Sequence, residues 1–208
     1  MKKIKIKKFI SFKEMSVECS ERIEEILIKK KIHSLVFPGG SSPKILLKCL
    51  SKKDIFKKCK LILSDERLTK NKNKNNNQML LKNFSLLKKV NFLDVLKQRN
   101  NFLKSYDNAL PKKLDLCILG MGNDGHVASI FDNELHLNFS EKLIIVKKKN
   151  ENFFRISLSC KYISSAKKII LLTSNKKKLD LILKRKSKPI LQIAKMHKKQ
   201  IECFACVR

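Results

Sequence analysis

Tryptophan is absent from the 208-residue chain, and there are only two tyrosines, five glycines and four prolines. With so few aromatic rings, the surface lacks the stacking platforms of a protein that reads single-stranded nucleic acid. No Pro-, Gly- or Ser-rich stretch divides the chain and no internal repeat runs through it. One domain over residues 1–208 is therefore expected, and that length suffices to bury a core. Long apolar runs are missing too. None exceeds five residues, and most are shorter, as in Leu143–Val146, whereas a membrane-spanning helix needs about 20, so no membrane partner is expected. The opening MKKIKIKKFI has the charge of a signal-peptide leader, but residues 11–25 supply no apolar segment behind it. Secretion is not expected, and a cytoplasmic location is.

Acidic residues are scarce as well: 18 Asp and Glu stand against 48 Lys and Arg, for a formal charge of +30 and a pI near 10.0. Such a balance first suggests nucleic acid. The distribution argues against it, because 42 of the basic residues are Lys, only 6 are Arg, and they are spread over the whole chain. Readers of bases and phosphates favour clustered Arg forks, and no zinc-finger, RNA-recognition or basic-zipper pattern is present. The run KNKNKNNNQ at 70–78 indicates compositional drift toward Lys, Asn and Ile, such as an AT-rich coding sequence produces. No nucleic-acid partner is expected, although the positive field would help attract an anionic substrate. Apolar residues make up 43% and charged residues 32%, a globular composition. The seven cysteines fall mostly within apolar segments, which suits reduced, buried thiols. Cys203-x-x-Cys206 lacks the second pair or nearby His pair that a structural zinc site requires, only His197 being close in sequence, and it is read as two strand residues of like orientation broken by a turn or twist, so no metal is expected.

Short apolar runs alternate with Lys-rich amphipathic stretches. Strands are predicted at 34–37, 60–63, 114–119, 143–146, 154–159, 168–172 and 201–206. Helices are predicted at 16–30, 43–50, 76–87, 93–108, 176–186 and 189–195. The N-terminal IKIKKFI alternates like a strand. Nearly continuous apolar strands belong to a parallel sheet covered on both faces, so the fold class expected is α/β: a Rossmann-like layered fold with a mainly parallel central sheet flanked by helices. Ligands of such folds bind at the C-terminal ends of the strands.

Three predicted strand-end loops stand apart. Pro38-Gly39-Gly40-Ser41-Ser42-Pro43 offers exposed amides and a helix start to an anion, and equally reads as a plain turn with a helix cap; it lacks Walker spacing. Ser64-Asp65-Glu66-Arg67 places two carboxylates and an arginine at a strand end, either as a structural ion pair or with Arg67 gripping a phosphate in two places. Gly120-Met121-Gly122-Asn123-Asp124-Gly125-His126 holds three of the five glycines within six residues. A free imidazole titrates near pH 6.5, so His126 is a candidate base, with Asp124 orienting it or binding a sugar hydroxyl; a structural histidine is the alternative.

In this order and spacing the segments FPGGSSP, LILSDER followed by Asn77, DLCILGMGNDGHVASIF, and Arg155-Ile-Ser-Leu-Ser leading into residues 168–173 closely resemble the 6-phosphogluconolactonase family. The resemblance covers about residues 35–204. It implies hydrolysis of 6-phospho-D-glucono-1,5-lactone to 6-phosphogluconate in the oxidative pentose phosphate pathway, with no metal or organic cofactor, on a fold shared with the glucosamine-6-phosphate deaminases. It assigns His126 as the acid/base residue, with Asp124 beside it. It places the phosphate on the glycine-rich loop (Gly39, Gly40, Ser41, Ser42), Arg67 and a lysine among Lys176, Lys177 and Lys178, which alignment puts at Lys178. Asp65, Asn77, Gly122, Asp124 and Arg155 would line the sugar pocket or hold its loops. The expected partner is a small phosphosugar lactone, and the expected state is a monomer or weak homodimer. The sequence departs from the family's pattern at Asn123, where Pro is usual, at Asn175, where Gly is usual and a left-handed backbone would suit Asn, at Ser164, where Asn is usual, and at Cys203, where Trp is usual. Deaminases tend to carry Phe-Asn-Glu-Pro after the glycine-rich segment and Tyr after Asp-Glu. Ser129-Ile130-Phe131-Asp132 and Arg67 favour the lactonase over the deaminase. A sugar-phosphate sensor without catalysis would have no need of His126.

Overall fold

The structure is a computed structural model that describes residues 3–29, 32–39, 43–51, 59–69, 102–134 and 142–208. Strands β1 (Ile4–Phe9), β2 (Ser34–Phe37), β3 (Lys60–Leu63), β5 (Leu116–Gly120), β8 (Lys168–Thr173) and β9 (Ile201–Cys206) form one sheet in the order β1-β9-β8-β5-β2-β3. Every neighbouring pair in it is parallel. Strands β4 (Asp65–Leu68), β7 (Phe154–Leu158) and β6 (Leu143–Val146) form a second, antiparallel sheet in that order. The helices are α1 (Phe12–Lys29), α2 (Lys44–Ser51), α3 (Phe102–Ala109), α4 (Cys160–Ser164), α5 (Lys176–Leu183) and α6 (Lys188–Met196).

Side chains alternate between the two faces of a strand, and here both faces are apolar. Leu35, Phe37, Leu61, Leu63, Leu116, Ile118, Ile170, Leu172 and Phe204 pack with Met15, Cys19, Ile23 and Ile26 of α1 and Leu46, Leu47 and Leu50 of α2. Their neighbours Val36, Ile62, Cys117, Leu119, Ile169, Leu171 and Ala205 pack on the opposite side with Tyr106, Ile163, Leu179, Ile182, Ile190 and Ile193, and with Ile144, Ile156 and Leu158 of the small sheet. The doubly covered parallel sheet expected from the apolar runs is present. The N-terminal alternation forms edge strand β1, paired in parallel with β9.

Four features differ from the sequence expectations. Residues 65–68, read as a loop, form β4; a strand of three polar residues and one leucine carries no apolar period, and only its pairing with β7 defines it. The short helix α4 was not predicted; Ser159 caps it by accepting a hydrogen bond from the Tyr162 amide. Cys203 and Cys206 do not share an orientation: β9 runs unbroken between them, and three residues along a strand reverses the face, so Cys203 enters one core and Cys206 the other. The helix predicted to end at residue 186 stops at Leu183, where Arg185 turns left-handed (φ 55°). Amides of Arg185 and Lys186 then close on the carbonyls of Ile182 and Leu181, a Schellman ending with arginine in the usual glycine position. The predicted helix 76–87 and most of 93–108 lie outside the described residues.

At the N-terminal ends of the strands, Asp115 accepts hydrogen bonds from the His33 and Ser34 amides (2.8 and 3.0 Å) and pairs with Lys167 (2.6 Å). This tether joins the starts of β2, β5 and β8. The opposite ends are left to the site, because β2 is followed outward by β3 on one side and flanked by β5 on the other. The loops leaving β2 and β5 diverge there and open a crevice.

Candidate active site

A cleft of about 260 Å³ opens at the C-terminal ends of β2, β3, β5 and β8, lined by Pro38 and Gly39, Ser64, Asp65 and Arg67, Gly120–Asn123, His126, Ala128, Arg155 and Lys178. The three loops singled out in the sequence thus meet, each contributing residues to one wall.

The loop after β5 is folded around its own histidine. The Gly122 amide donates to the His126 carbonyl (2.9 Å), and the Gly125 amide donates to the Gly122 carbonyl (3.2 Å). The imidazole lies directly over Gly122: a Cβ there would sit 2.2 Å from His126 Cε1 and Nδ1. Gly125 holds φ at +88°, and its carbonyl accepts the Ser187 hydroxyl (2.6 Å), which fastens the loop to the start of α6. Asp124 Oδ1 lies 2.5 Å from His126 Nδ1. Burial works to raise the Asp124 pKa, but the hydrogen bond and charge of His126 outweigh it and hold the carboxyl below its usual range. With Nδ1 engaged by a carboxylate, Nε2 is the ring nitrogen that can exchange a proton with a ligand. Phe131, whose ring centroid is 4.8 Å from that of His126, supports the imidazole from the side.

The opposite wall is the cleft-facing side of the small sheet. Residues two apart on a strand share a face, so Asp65 and Arg67 turn to the cleft while Glu66 turns inward, lining a small space with Tyr106 and Ile156. Arg155 lies directly opposite Arg67 in the antiparallel register. Asp65 is buried and accepts from the Ser64 hydroxyl (3.0 Å) and the Ser129 hydroxyl (2.6 Å), and Ser129 in turn receives a hydrogen bond from Arg155 Nη1 (3.4 Å). Arg155 is buried and is held by Glu151 through both Nε (2.7 Å) and Nη2. Its guanidinium also faces the rings of Phe131 and Phe153 at 5.8 and 5.9 Å. Burial would lower the Arg155 pKa; the hydrogen bond and charge of Glu151, with Asp65 and Asp124 nearby, raise it instead.

The third wall follows β8. Lys176 and Lys177 are exposed, whereas Lys178 is buried and lines the cleft. Its ammonium donates to the Ser174 hydroxyl (2.9 Å), and burial lowers its pKa. Asn175 is extended (φ −161°), not left-handed, and its side chain accepts from the Lys178 amide (3.0 Å). Asparagine here serves as the N-cap of α5, which corrects the left-handed expectation. Gly39 lies on the cleft; Gly40, Ser41, Ser42 and Asn77 fall outside the described residues.

Sequence reasoning did not find Glu151, Phe131, Ser129, Ser174 or Ser187. Phe131 ends the DLCILGMGNDGHVASIF segment, and Glu151 is an acid in a basic stretch; Ser129 and Ser187 had no signal, since their partners are distant in sequence, whereas Ser174 meets Lys178 four residues on. The assembled cleft holds a carboxylate–imidazole pair beside two arginines and a desolvated lysine. Such a set can abstract a proton from a bound water and hold an anionic ligand.

The family model for glucosamine-6-phosphate isomerases/6-phosphogluconolactonase matches residues 11–201. The 6-phosphogluconolactonase of Helicobacter pylori (strain J99) is 33% identical over 188 residues, 83% of each chain. The glucosamine-6-phosphate deaminase of Clostridium novyi is 30% identical over 87% of this chain and 86% of its own. Among solved structures, a 6-phosphogluconolactonase from Shewanella baltica superposes with a TM-score of 0.80 at 23% identity, covering 98% of this chain and 97% of that one.

Proposed function

The chain belongs to the glucosamine-6-phosphate isomerase/6-phosphogluconolactonase family, and from that premise we propose that it hydrolyses 6-phospho-D-glucono-1,5-lactone to 6-phospho-D-gluconate in the oxidative pentose phosphate pathway. The observation that carries this reading is the Asp124–His126 pair opening on the same cleft as Gly39, Arg67, Arg155 and Lys178. A lactone carbonyl is already electrophilic, so the reaction needs an aligned water, a base and charge to hold the substrate.

His126 Nε2 takes a proton from water as the water oxygen bonds to the carbonyl carbon. Asp124 stabilises the imidazolium that forms. The tetrahedral intermediate collapses by breaking the bond to the ring oxygen, which receives the proton back from His126, and the new carboxylic acid ionises in solution. General acid–base catalysis of this kind supplies about 10²–10⁴-fold, and positioning supplies the rest. Arg67, Lys178 and the glycine-rich loop from Gly39 through Gly40, Ser41 and Ser42 hold the phosphate. Arg155, Asp65, Gly122 and Asn77 shape the sugar end. The protein acts as one catalytic domain in the cytoplasm, as a monomer or weak homodimer, without metal or organic cofactor.

The test generates the lactone in situ and reads 6-phosphogluconate through a coupled dehydrogenase, with spontaneous opening subtracted. Wild type is expected to accelerate hydrolysis, and His126→Ala to lose that acceleration by at least about 10²-fold. Acceleration surviving in His126→Ala would overturn the mechanism while keeping the reaction. Deamination of glucosamine 6-phosphate without lactone turnover would favour the deaminase reading, against which Ser129-Ile130-Phe131-Asp132 already argues.

A further inference from the structure

Apart from the cleft, the described residues form a larger concavity, a groove of about 660 Å³ at the β1 edge of the large sheet. None of the residues lining it also lines the cleft. The edge strand is incompletely covered there, with Ile4 and Ile6 only partly buried against the core. The floor of the groove is apolar and consists of Ile4 of β1, Ile182 of α5, and Leu191 and Ala194 of α6. Its volume falls within the range of small-molecule sites, about 300–1,000 Å³.

The rim, by contrast, is cationic. Lys3 is fixed in place, its ammonium donating to the carbonyls of Lys195 (3.0 Å) and His197 (3.2 Å) at the end of α6. Lys195 itself and Arg185 are exposed, and Arg185 stands left-handed (φ 55°) in the turn between α5 and α6. Carbonyl acceptors leave the Lys3 charge uncancelled. Among the described residues no carboxylate pairs with any of these three cations, and none lines the groove. An apolar floor inside such a rim complements a molecule with an apolar body and an anionic head. A second copy of this chain does not answer to that chemistry, since it brings its own charge of +30.

We propose that the groove between β1, α5 and α6 binds a single-chain amphiphile with a carboxylate head, of the medium-chain acyl carboxylate class. The chain lies on Ile4, Ile182, Leu191 and Ala194, and the head meets the cationic rim, where the Arg185 guanidinium can take a carboxylate in two places. This site is additional to the proposed lactonase activity and does not depend on it.

Decanoate, kept below its micelle concentration and titrated by calorimetry at constant ionic strength, is expected to form a one-to-one complex with the wild type. Shortening the chain is expected to weaken binding about two- to fourfold per methylene, the worth of a CH₂ taken out of water. Decylammonium has the same chain and the opposite charge and is expected not to bind. Arg185→Gly/Lys195→Glu alters the rim at two exposed positions, and glycine suits the left-handed backbone at 185, so the fold is expected to survive. Its decanoate affinity is expected to fall at least about tenfold. Lys13→Gln/Lys48→Glu removes the same net charge from exposed positions on α1 and α2, helices that pack on the opposite face of the sheet. Screening is expected to hold its affinity within about twofold of wild type. An equal fall in both double variants would reduce the binding to attraction by overall charge. Unchanged affinity in Arg185→Gly/Lys195→Glu would take the head off this rim, and displacement of decanoate by inorganic phosphate would place it in the cleft. Any of these results overturns the proposal, as would equal binding of decylammonium or no binding of decanoate to the wild type. No readout requires lactone turnover, so an inactive enzyme would defeat the substrate assignment and leave the groove to be decided by decanoate alone.

Discussion

At Gly122 the space for a side chain is already taken by the His126 imidazole. A methyl group there meets His126 Cε1 and Nδ1 at 2.2 Å and Asp124 Oδ1 at 2.7 Å, so the ring and its carboxylate must both move. Displacing a reacting group by about 1 Å costs on the order of 10²-fold in rate. Gly122→Ala is therefore expected to lower kcat by about 10²-fold or more while the far-ultraviolet circular dichroism spectrum stays that of the wild type. Asp124→Asn isolates the charge from the shape, since an amide oxygen can still accept from Nδ1 but does not stabilise an imidazolium; a fall in kcat of about 10- to 10²-fold is expected. Unchanged kcat in Asp124→Asn would reduce the carboxylate to a support for the loop.

Whole elements were legible where burial imposes a period. The strands at 34–37, 60–63, 143–146 and 201–206 have the bounds their apolar runs indicate; those of the large sheet are covered on both faces, whereas Ile145 of the small sheet is exposed. The phase of α5 also carries information. Leu179 and Ile182 mark its buried face, and Lys178, one turn before Ile182, shares it, whereas Lys176 and Lys177 fall outside; helical phase thus selects the one lysine of three that reaches the cleft. What the sequence does not carry are contacts made by polar residues across distance. Strand β4 exists through its pairing with β7, and Glu151 grips Arg155 at i,i+4 spacing although Arg155 lies on a strand, where that spacing announces nothing. The same holds for the tether at Asp115. Burial raises its pKa, but Lys167 and the His33 and Ser34 amides more than offset this and leave it lowered. A carboxyl lowered on folding stabilises the protein above its unfolded pKa of about 3.9 and loses that contribution as pH falls through the folded value. Asp115→Asn is expected to cost about 1–3 kcal/mol in urea unfolding at pH 7, with the gap from wild type narrowing below about pH 4, and to leave kcat unchanged because the tether lies at the far end of the strands. At the end of α5, Arg185→Gly relieves a left-handed arginine (φ 55°) and is expected to add about 0.5–1 kcal/mol in the same assay.

At the scale of the molecule the charge of +30 acts on folding and on substrate capture with opposite signs. Only 18 carboxylates stand against 48 basic side chains, and the mutual repulsion of the excess positive charge disfavours the compact state. The same field draws an anionic substrate toward the cleft. Salt weakens both effects, since the Debye length shrinks from about 30 Å at 0.01 M to about 3 Å at 1 M. Raising sodium chloride over that range is therefore expected to raise the melting temperature while lowering kcat/KM for the phosphorylated lactone. At saturating substrate kcat should hold, because the attacked carbonyl bears no net charge and the Asp124–His126 pair is in contact at 2.5 Å, well inside the screening length. An unphosphorylated gluconolactone separates loss of attraction from damage to the cleft. Its kcat/KM should be insensitive to salt if attraction of the dianion is what salt removes, whereas a parallel fall for the neutral lactone would mean that salt disturbs the cleft itself.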